Sequence, residues 1–361
     1  MPPTASILEE ASRIRSLFLA TGAVYVKADV LQPAETLLDL YGEDIRARAY
    51  VTHDPLKGEM MLRPDFTVPV VQMHMESRAE PARYTYSGKV FRKQEDDPSR
   101  PNEYIQVGYE VFDGQAPVEA DAEVFAKVSE ALDGPHLRAA TGDIGLLLAA
   151  VKGLDTIESR KAALLRHVWR PRRFRSLLER FGGRAPVPPS RKSLLAASDP
   201  LAAAGPEIGL RSLADVAARI AALKDDAAAP AISGEEIALI DAILTLRNTA
   251  PNALGILRDI AVDLPAISDA VSRMEQRLEA MARLGVAVDT LEFEGNYGRT
   301  SMEYYDGFVF GFYAAARPDL PAVATGGRYD ALTRVLGQGR AVPAVGAVIR
   351  PDLVVQLRGQ A

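Results

Sequence analysis

Between residues 6 and 21 (SILEEASRIRSLFLAT), apolar side chains recur at helical spacing, which predicts an amphipathic helix. Ile7, Ile14, Leu17 and Phe18 share one side, with charges opposite. A short β-rich run, VYVKADVLQP, follows and ends at Pro33. Residues 47–75 read as two strands, ARAYVTHD and GEMMLRPD, around a turn at Pro55 to Gly58, and then a helix. RYTYSGKVFRKQ and NEYIQVGYEVFD predict two more strands, separated by the polar loop Glu95 to Pro101. Val118 to Leu132 predicts a second amphipathic helix. Hairpins beside helices, with no alternating β-α-β pattern, make the first third α+β.

The pattern changes near residue 150. Residues 151–285 are rich in Ala, Leu and Arg, and break at PVPPS (186–190), SDP (198–200), AAAPAISG (227–234) and TAPN (249–252). Several short helices are expected there. From Val286 the β pattern returns in VAVDTLEFEG, YYDGFVFGFYAAA, AVATGGRYDAL and PAVGAVIRPDLVV. The expected organisation is one discontinuous α+β core, 1–150 with 286–361, carrying a helical insertion over 151–285.

Composition narrows the chemistry. With 361 residues, 48% hydrophobic and 25% charged, the chain has apolar surface enough for a core, which excludes disorder over most of its length. Cysteine is absent, so disulfides, zinc–thiolate sites and thiol catalysis are excluded. His53, His74, His136 and His167 are scattered with no i,i+4 pair, so no metal centre is expected, nor any other cofactor. A formal net charge of -6 is the wrong sign for a protein that lives by gripping phosphate backbones. The first residues lack a basic secretory n-region, and no apolar run reaches membrane-spanning length, so a soluble cytoplasmic protein is expected.

Three polar constellations sit on the β-rich segments. Leu62-Arg63-Pro64-Asp65-Phe66-Thr67 lies where a strand turns into a helix, and Asp65 or Thr67 suits a helix cap as well as a site. Gln106, Gly108 and Glu110 share one strand face by the period-two rule, near Arg92 across the loop. That face is either solvent-exposed or the floor of a polar pocket. Gly326-Gly327-Arg328-Tyr329-Asp330 follows Tyr304-Tyr305, and its paired glycines suit a tight turn or a ligand close to the backbone. Separately, residues 160–192 concentrate basic side chains against Glu179 alone. They suit a nucleic-acid patch, a docking face for an acidic partner, or a solvated helical face. Trp169, Phe174 and Phe181 are expected to pack within the helices, which favours the last two over an RNA-binding module.

Taken in order, LRPDFT, YSGKVFR with QVGYE, EYYDGFVF, ATGGRYDAL and PAVGAVIR resemble the core of class II histidyl-tRNA synthetases over most of 1–135 and 286–350. The resemblance implies a class II antiparallel sheet flanked by helices. The run to Pro33 then resembles the dimer-forming motif 1. By the same resemblance Asp65 and Thr67 match the residues that hold the amino group of histidine, with Asp where the synthetases carry Glu. Gln106 matches the residue for the carboxylate, and Glu110, Tyr304, Tyr305 and Tyr329 those that frame the imidazole. Arg92 and Arg100 match the motif 2 arginines, Arg92 also bordering the amino-acid site.

Adenylation machinery is depleted. The run Thr300-Ser301-Met302-Glu303-Tyr304-Tyr305 lacks the arginine of the RGLDYY-like synthetase motif, Arg299 lying one place away, and Leu353 stands where motif 3 carries its arginine. Each preorganised charge lost costs ~3 kcal/mol of transition-state stabilisation. Arg92 and Arg100 therefore read as vestiges of an ATP site, and no catalytic residue is assigned. Only Pro351 to Ala361 follow, against roughly 100 residues for an anticodon-binding domain, so no tRNA partner is expected.

A core that keeps the amino-acid pocket and loses the rest is similar to the regulatory subunits of ATP phosphoribosyltransferase. That resemblance implies a non-catalytic partner of a short catalytic subunit in the first step of histidine biosynthesis, with L-histidine as effector and a homodimeric core. The alternative it leaves is a degenerate or minimal histidyl-tRNA synthetase-like enzyme that activates an amino acid.

Overall fold

The two clearest strand patterns pair with each other: Ala82–Phe91 and Glu103–Phe112 run antiparallel in unbroken register, from Ala82 opposite Phe112 to Phe91 opposite Glu103. They form part of a computed structural model that describes residues 2–41, 48–77, 79–93, 100–134, 136–202, 204–299 and 304–359, the side chains of 39–41 apart. The loop predicted over Glu95 to Pro101 falls largely outside the described residues, as do 300–303.

In chain order the strands are β1 (Val24–Tyr25), β2 (Leu31–Pro33), β3 (Val51–Asp54), β4 (Gly58–Leu62), β5 (Ala82–Phe91), β6 (Glu103–Phe112), β7 (Leu137–Asp143), β8 (Arg247–Thr249), β9 (Glu292–Glu294), β10 (Phe308–Ala314), β11 (Ala324–Arg328) and β12 (Ala344–Ile349). The helices are α1 (Thr4–Leu19), α2 (Ala34–Tyr41), α3 (Thr67–Ser77), α4 (Pro117–Ala131), α5 (Ile144–Gly153), α6 (Glu158–Arg166), α7 (Pro171–Phe181), α8 (Pro189–Ala196), α9 (Leu213–Ala228), α10 (Gly234–Thr245), α11 (Ala250–Asp263), α12 (Ser268–Arg283), α13 (Asp330–Leu336) and α14 (Pro351–Arg358).

Nine strands make the main sheet in the order β1-β5-β6-β12-β11-β10-β7-β9-β8. Its six central strands are antiparallel throughout, as the α+β reading requires, and parallel pairs occur only towards the edges, β1 with β5 and β7 with β9. A second sheet joins β2, β4 and β3. The β-rich run to Pro33 is thus divided between two sheets. Its bend is held from outside by buried Arg63, whose guanidinium donates to the Ala28 carbonyl, and from within by Gln32 Nε2, which donates to the Asp29 carbonyl at 2.8 Å.

One face of the sheet is covered by α1 and α4. Ile7, Ile14 and Phe18 of α1 are buried, and Phe18 stacks on Tyr109 with ring centres 4.9 Å apart. Inside the helical segment, Ser212 and Ser233 form capping boxes with Asp215 and Glu236, which start α9 and α10 after the sequence breaks.

The segment 151–285 is tied to the sheet at its C-terminal end. β8 pairs with β9 on the sheet edge, and α12 lies along α4. There Arg277, 4% exposed, donates to Asp121 at 3.3 Å and to Asp143 at 2.7 Å, while Arg328 binds Asp121 at 2.8 Å and Asp330 at 3.0 Å. Residues 247–283 therefore pack as part of the sheet layer. A three-residue strand, Arg-Asn-Thr, is too short to show in composition. Arg277→Ala leaves buried Asp143 short of a counter-charge, while Asp121 keeps Arg328. It is expected to cost about 3–5 kcal/mol, read as a lowered midpoint of urea unfolding.

Candidate functional site

Period two along β5 and β6 places Tyr86 and Gly88 opposite Gly108 and Gln106, and Tyr84 opposite Glu110. The glycines are spaces for their neighbours. A Cβ on Gly108 would lie 2.0 Å from the Tyr86 ring, and one on Gly88 would lie 2.9 Å from the Phe66 ring. Phe66 stacks on Tyr86 at 4.4 Å, and the Arg63 guanidinium stacks on Phe66 at 4.0 Å. The face predicted as either exposed or a pocket floor is a floor: Gln106 is 2% exposed and Glu110 is wholly buried.

Glu110 is the centre of the arrangement. Its Oε1 accepts from the Thr67 hydroxyl at 3.0 Å and the Tyr86 hydroxyl at 2.8 Å, and its Oε2 accepts from Tyr329 at 2.6 Å. Burial pushes its carboxyl up to about 7; the three hydroxyl donors oppose that rise, and the Asp65 charge adds to it. Burial, then the Glu110 charge, keeps Tyr86 and Tyr329 protonated, hence donors. A carboxylate offers about four acceptor positions. Oε2, holding one donor, retains an acceptor position of the kind an imidazole N–H fills.

The other assigned residues are placed as follows. Asp65 is buried at the start of α3, where its Oδ1 accepts from the Val68 N–H at 3.4 Å, so it faces the helix end while its charge acts on Glu110 and Tyr305. Arg92 donates from Nε to the Pro64 carbonyl at 2.7 Å, beneath the LRPDFT turn, and its charge reaches Tyr305. Tyr305 is buried within reach of the Glu110 charge, and Tyr304 lies 4.8 Å from the Tyr305 ring and 6.1 Å from that of Tyr329. Gln106 Oε1 is buried without a hydrogen-bond partner, two residues from Glu110 on the same face. Arg100 is exposed at the end of the 94–99 segment.

Two residues were missed by sequence reasoning. Tyr86 supplies one of the three hydroxyls, and Phe66 fills the space over Gly88. The signal for Tyr86 was present in the alternation of Tyr84, Tyr86 and Gly88, the same period that singled out Gln106 and Glu110.

Arg299, one place from the expected synthetase arginine, is 3% exposed and engaged elsewhere. Its Nε donates to the Val168 carbonyl at 2.8 Å, its Nη1 donates to Asn296 Oδ1 at 2.9 Å, and burial brings it down to about 10. Leu353, in the motif 3 position, is buried in the core. The basic stretch 160–192 is not one exposed face. Arg160 is buried against Asp226, Arg191 also binds Asp226, and Arg175 binds Asp241, whereas Arg166, Arg170, Arg172 and Arg173 are exposed. Among the described residues no group of three or more His, Cys, Asp or Glu side chains is placed to hold a metal ion.

Comparison with known proteins gives a consistent result. The sequence matches the histidyl-tRNA synthetase family over residues 1–229 and 213–354. A protein from Brucella anthropi named ATP phosphoribosyltransferase regulatory subunit is 30% identical over 361 residues, covering 94% of this chain and 94% of its own. One of the same name from Brucella canis is 30% identical over 366 residues, covering 94% and 95%. Among solved structures, an ATP phosphoribosyltransferase regulatory subunit/histidyl-tRNA synthetase from Bacillus halodurans superposes with a TM-score of 0.68 at 20% identity, over 99% of this chain and 81% of that one. A histidyl-tRNA synthetase from Nostoc does so at 0.63 and 16% identity, over 98% and 72%.

Proposed function

Because this chain belongs to the family of ATP phosphoribosyltransferase regulatory subunits, on a histidyl-tRNA synthetase fold, we propose that it binds free L-histidine at Glu110 and transmits that occupancy to a short-form catalytic subunit. The observation that carries the reading is the buried Glu110 carboxylate with its three hydroxyl donors and an acceptor position remaining on Oε2. The imidazole N–H is assigned to Glu110, between Tyr304, Tyr305 and Tyr329, and the amino-acid end to Asp65, Thr67, Gln106 and Arg92. Gln106 Oε1, buried and unpartnered, supports a polar ligand beside it. Arg100 is assigned no role in binding histidine.

The role is regulatory, in keeping with the names of the relatives. Histidine then shifts the complex only so far as it binds one arrangement more tightly than the other. A homodimer through the motif 1 region is supported by Val24, Tyr25, Val30 and Leu31, all exposed beside the edge strand β1. We assign the chain no tRNA partner, since Arg160, Arg175 and Arg191 of its basic stretch pair with Asp226 and Asp241. No helix among the described residues is long and apolar enough to cross a membrane, and we place the protein in the cytoplasm.

The test is phosphoribosyl-ATP formation from ATP and phosphoribosyl pyrophosphate by a purified short catalytic subunit. Adding this chain is expected to raise the rate, and histidine to reverse the gain. A matched partner whose rate does not change on addition overturns the proposal.

A further inference from the structure

The inserted helices hold Tyr305 from outside: Trp169 Nε1 donates to its carbonyl at 3.3 Å. Earlier in the chain, Arg299 donates to the Val168 carbonyl at 2.8 Å and lays its guanidinium 4.9 Å from the centre of the Phe174 ring. Val168, between α6 and α7, and Phe174, in α7, are themselves buried, so these contacts tie Arg299 to the packing of the insertion. On the inner side the Tyr304 ring lies 6.1 Å from that of Tyr329, which donates to Glu110 at 2.6 Å, and the Glu110 charge acts on buried Tyr305.

The strength of these contacts matters as much as their position. Among the described residues Arg299 has no acceptor for Nη2 and is held by a carbonyl, an amide oxygen and a ring, with no carboxylate among its bonds. Trp169 adds one neutral hydrogen bond. Such bonds are each worth about 1 kcal/mol, an amount that a bound ligand can oppose or reinforce.

We propose that Trp169 and Arg299 are positioning residues of the ligand pocket: Trp169 holds Tyr305 and Arg299 anchors the chain ahead of it, so that pocket occupancy and the placement of α6 and α7 bias one another. The proposal rests on histidine binding at Glu110. Reciprocity follows from linkage, since a placement of the helices that tightens the pocket is favoured by the ligand to the same degree.

Trp169 is the chain's single tryptophan, so its emission reports on this contact alone. L-histidine is titrated into the full-length protein, with fluorescence and calorimetry recorded in parallel. Emission is expected to change with the Kd that calorimetry gives. Trp169→Phe keeps a ring and removes the N–H, and is expected to weaken histidine binding about fivefold with little change in thermal midpoint. Arg299→Lys should weaken it similarly. Arg191→Ala, which breaks the pair with Asp226 within the insertion, should leave affinity as it was. If histidine binds without changing the emission and binds Trp169→Phe equally well, positioning is overturned while the pocket assignment stands. If Arg191→Ala weakens binding as much as Trp169→Phe, the effect is general to the insertion and positioning is again overturned. If the wild-type protein does not bind histidine, both are overturned.

Discussion

Glu110→Gln is expected to weaken L-histidine binding about 10- to 100-fold, because a charge-assisted hydrogen bond to the imidazole becomes a neutral one. The amide still accepts from two hydroxyls, so the fold survives, and calorimetry on the variant is interpretable. A second consequence concerns pH. Burial raises the Glu110 carboxyl to about 7, from an ordinary 4.5 in the unfolded chain. Between those values the folded state holds a proton that the unfolded state has released, so stability falls as pH rises from 4.5 to 7. Above 7 the buried charge costs the fold about 3 kcal/mol. Glutamine removes that slope. The difference in unfolding free energy between variant and wild type should therefore grow in favour of the variant from pH 5 to pH 7, and level off above. Buried His74, pushed down to about 4, acts with the opposite sign and is common to both proteins, so it cancels in the difference. Wild-type histidine affinity should also fall below pH 7 as Glu110 takes up a proton. A variant whose stability difference is flat from pH 5 to pH 8 excludes a raised Glu110.

Gly346→Ala is expected to be more damaging than any single loss of a hydrogen bond in the site. Gly346 faces Glu110 directly across β12 and β6, and a Cβ there would lie 1.4 Å from Glu110 Oε2. No rotation of the methyl relieves such an overlap, so the carboxylate must leave its three hydroxyl partners or the strands must part. Each buried donor left unpaired costs about 1–3 kcal/mol, which puts the total at several kcal/mol. Insoluble expression or a sharply lowered thermal midpoint is expected, with histidine binding lost. Gly339→Ala is a poor control because its φ is +97°. Gly205→Ala, where no atom lies within 4 Å of the new methyl, serves better and should be close to neutral.

How much of this was legible in the sequence depended on range. The hairpin of β5 and β6 was legible because its alternation is local, and so was the shared face of Gln106, Gly108 and Glu110. That alternation could not say whether the face was wet or dry; its cover comes from Thr67, on another element, and from Tyr329, more than two hundred residues downstream. The division of the run to Pro33 was hidden for the same reason, since Arg63 fixes the bend at Ala28 from a later segment. Composition suggested a helical segment but not how 247–283 attach to the sheet, because a strand of three residues and a buried arginine, Arg277, leave no periodic trace. Arg299 was visible only as an arginine one position from a motif. Its engagement with Val168 and Phe174 is a long-range contact that no local pattern carries.

The position of β12 also governs when the protein is able to fold. It is the last strand in the chain, yet it lies between β6 and β11 near the middle of the sheet. About 230 residues separate the end of β6 from its start. At roughly 5–20 residues per second, a ribosome takes on the order of 10–50 s to make them. Throughout that interval the hairpin of β5 and β6 presents an unpaired central edge, and Glu110 stands without Tyr329 and the strand beside it. Such an edge invites pairing with other nascent chains, so the yield of native protein in the cell should be set by translation pace and by chaperones that shield β6, more than by the stability of the finished sheet.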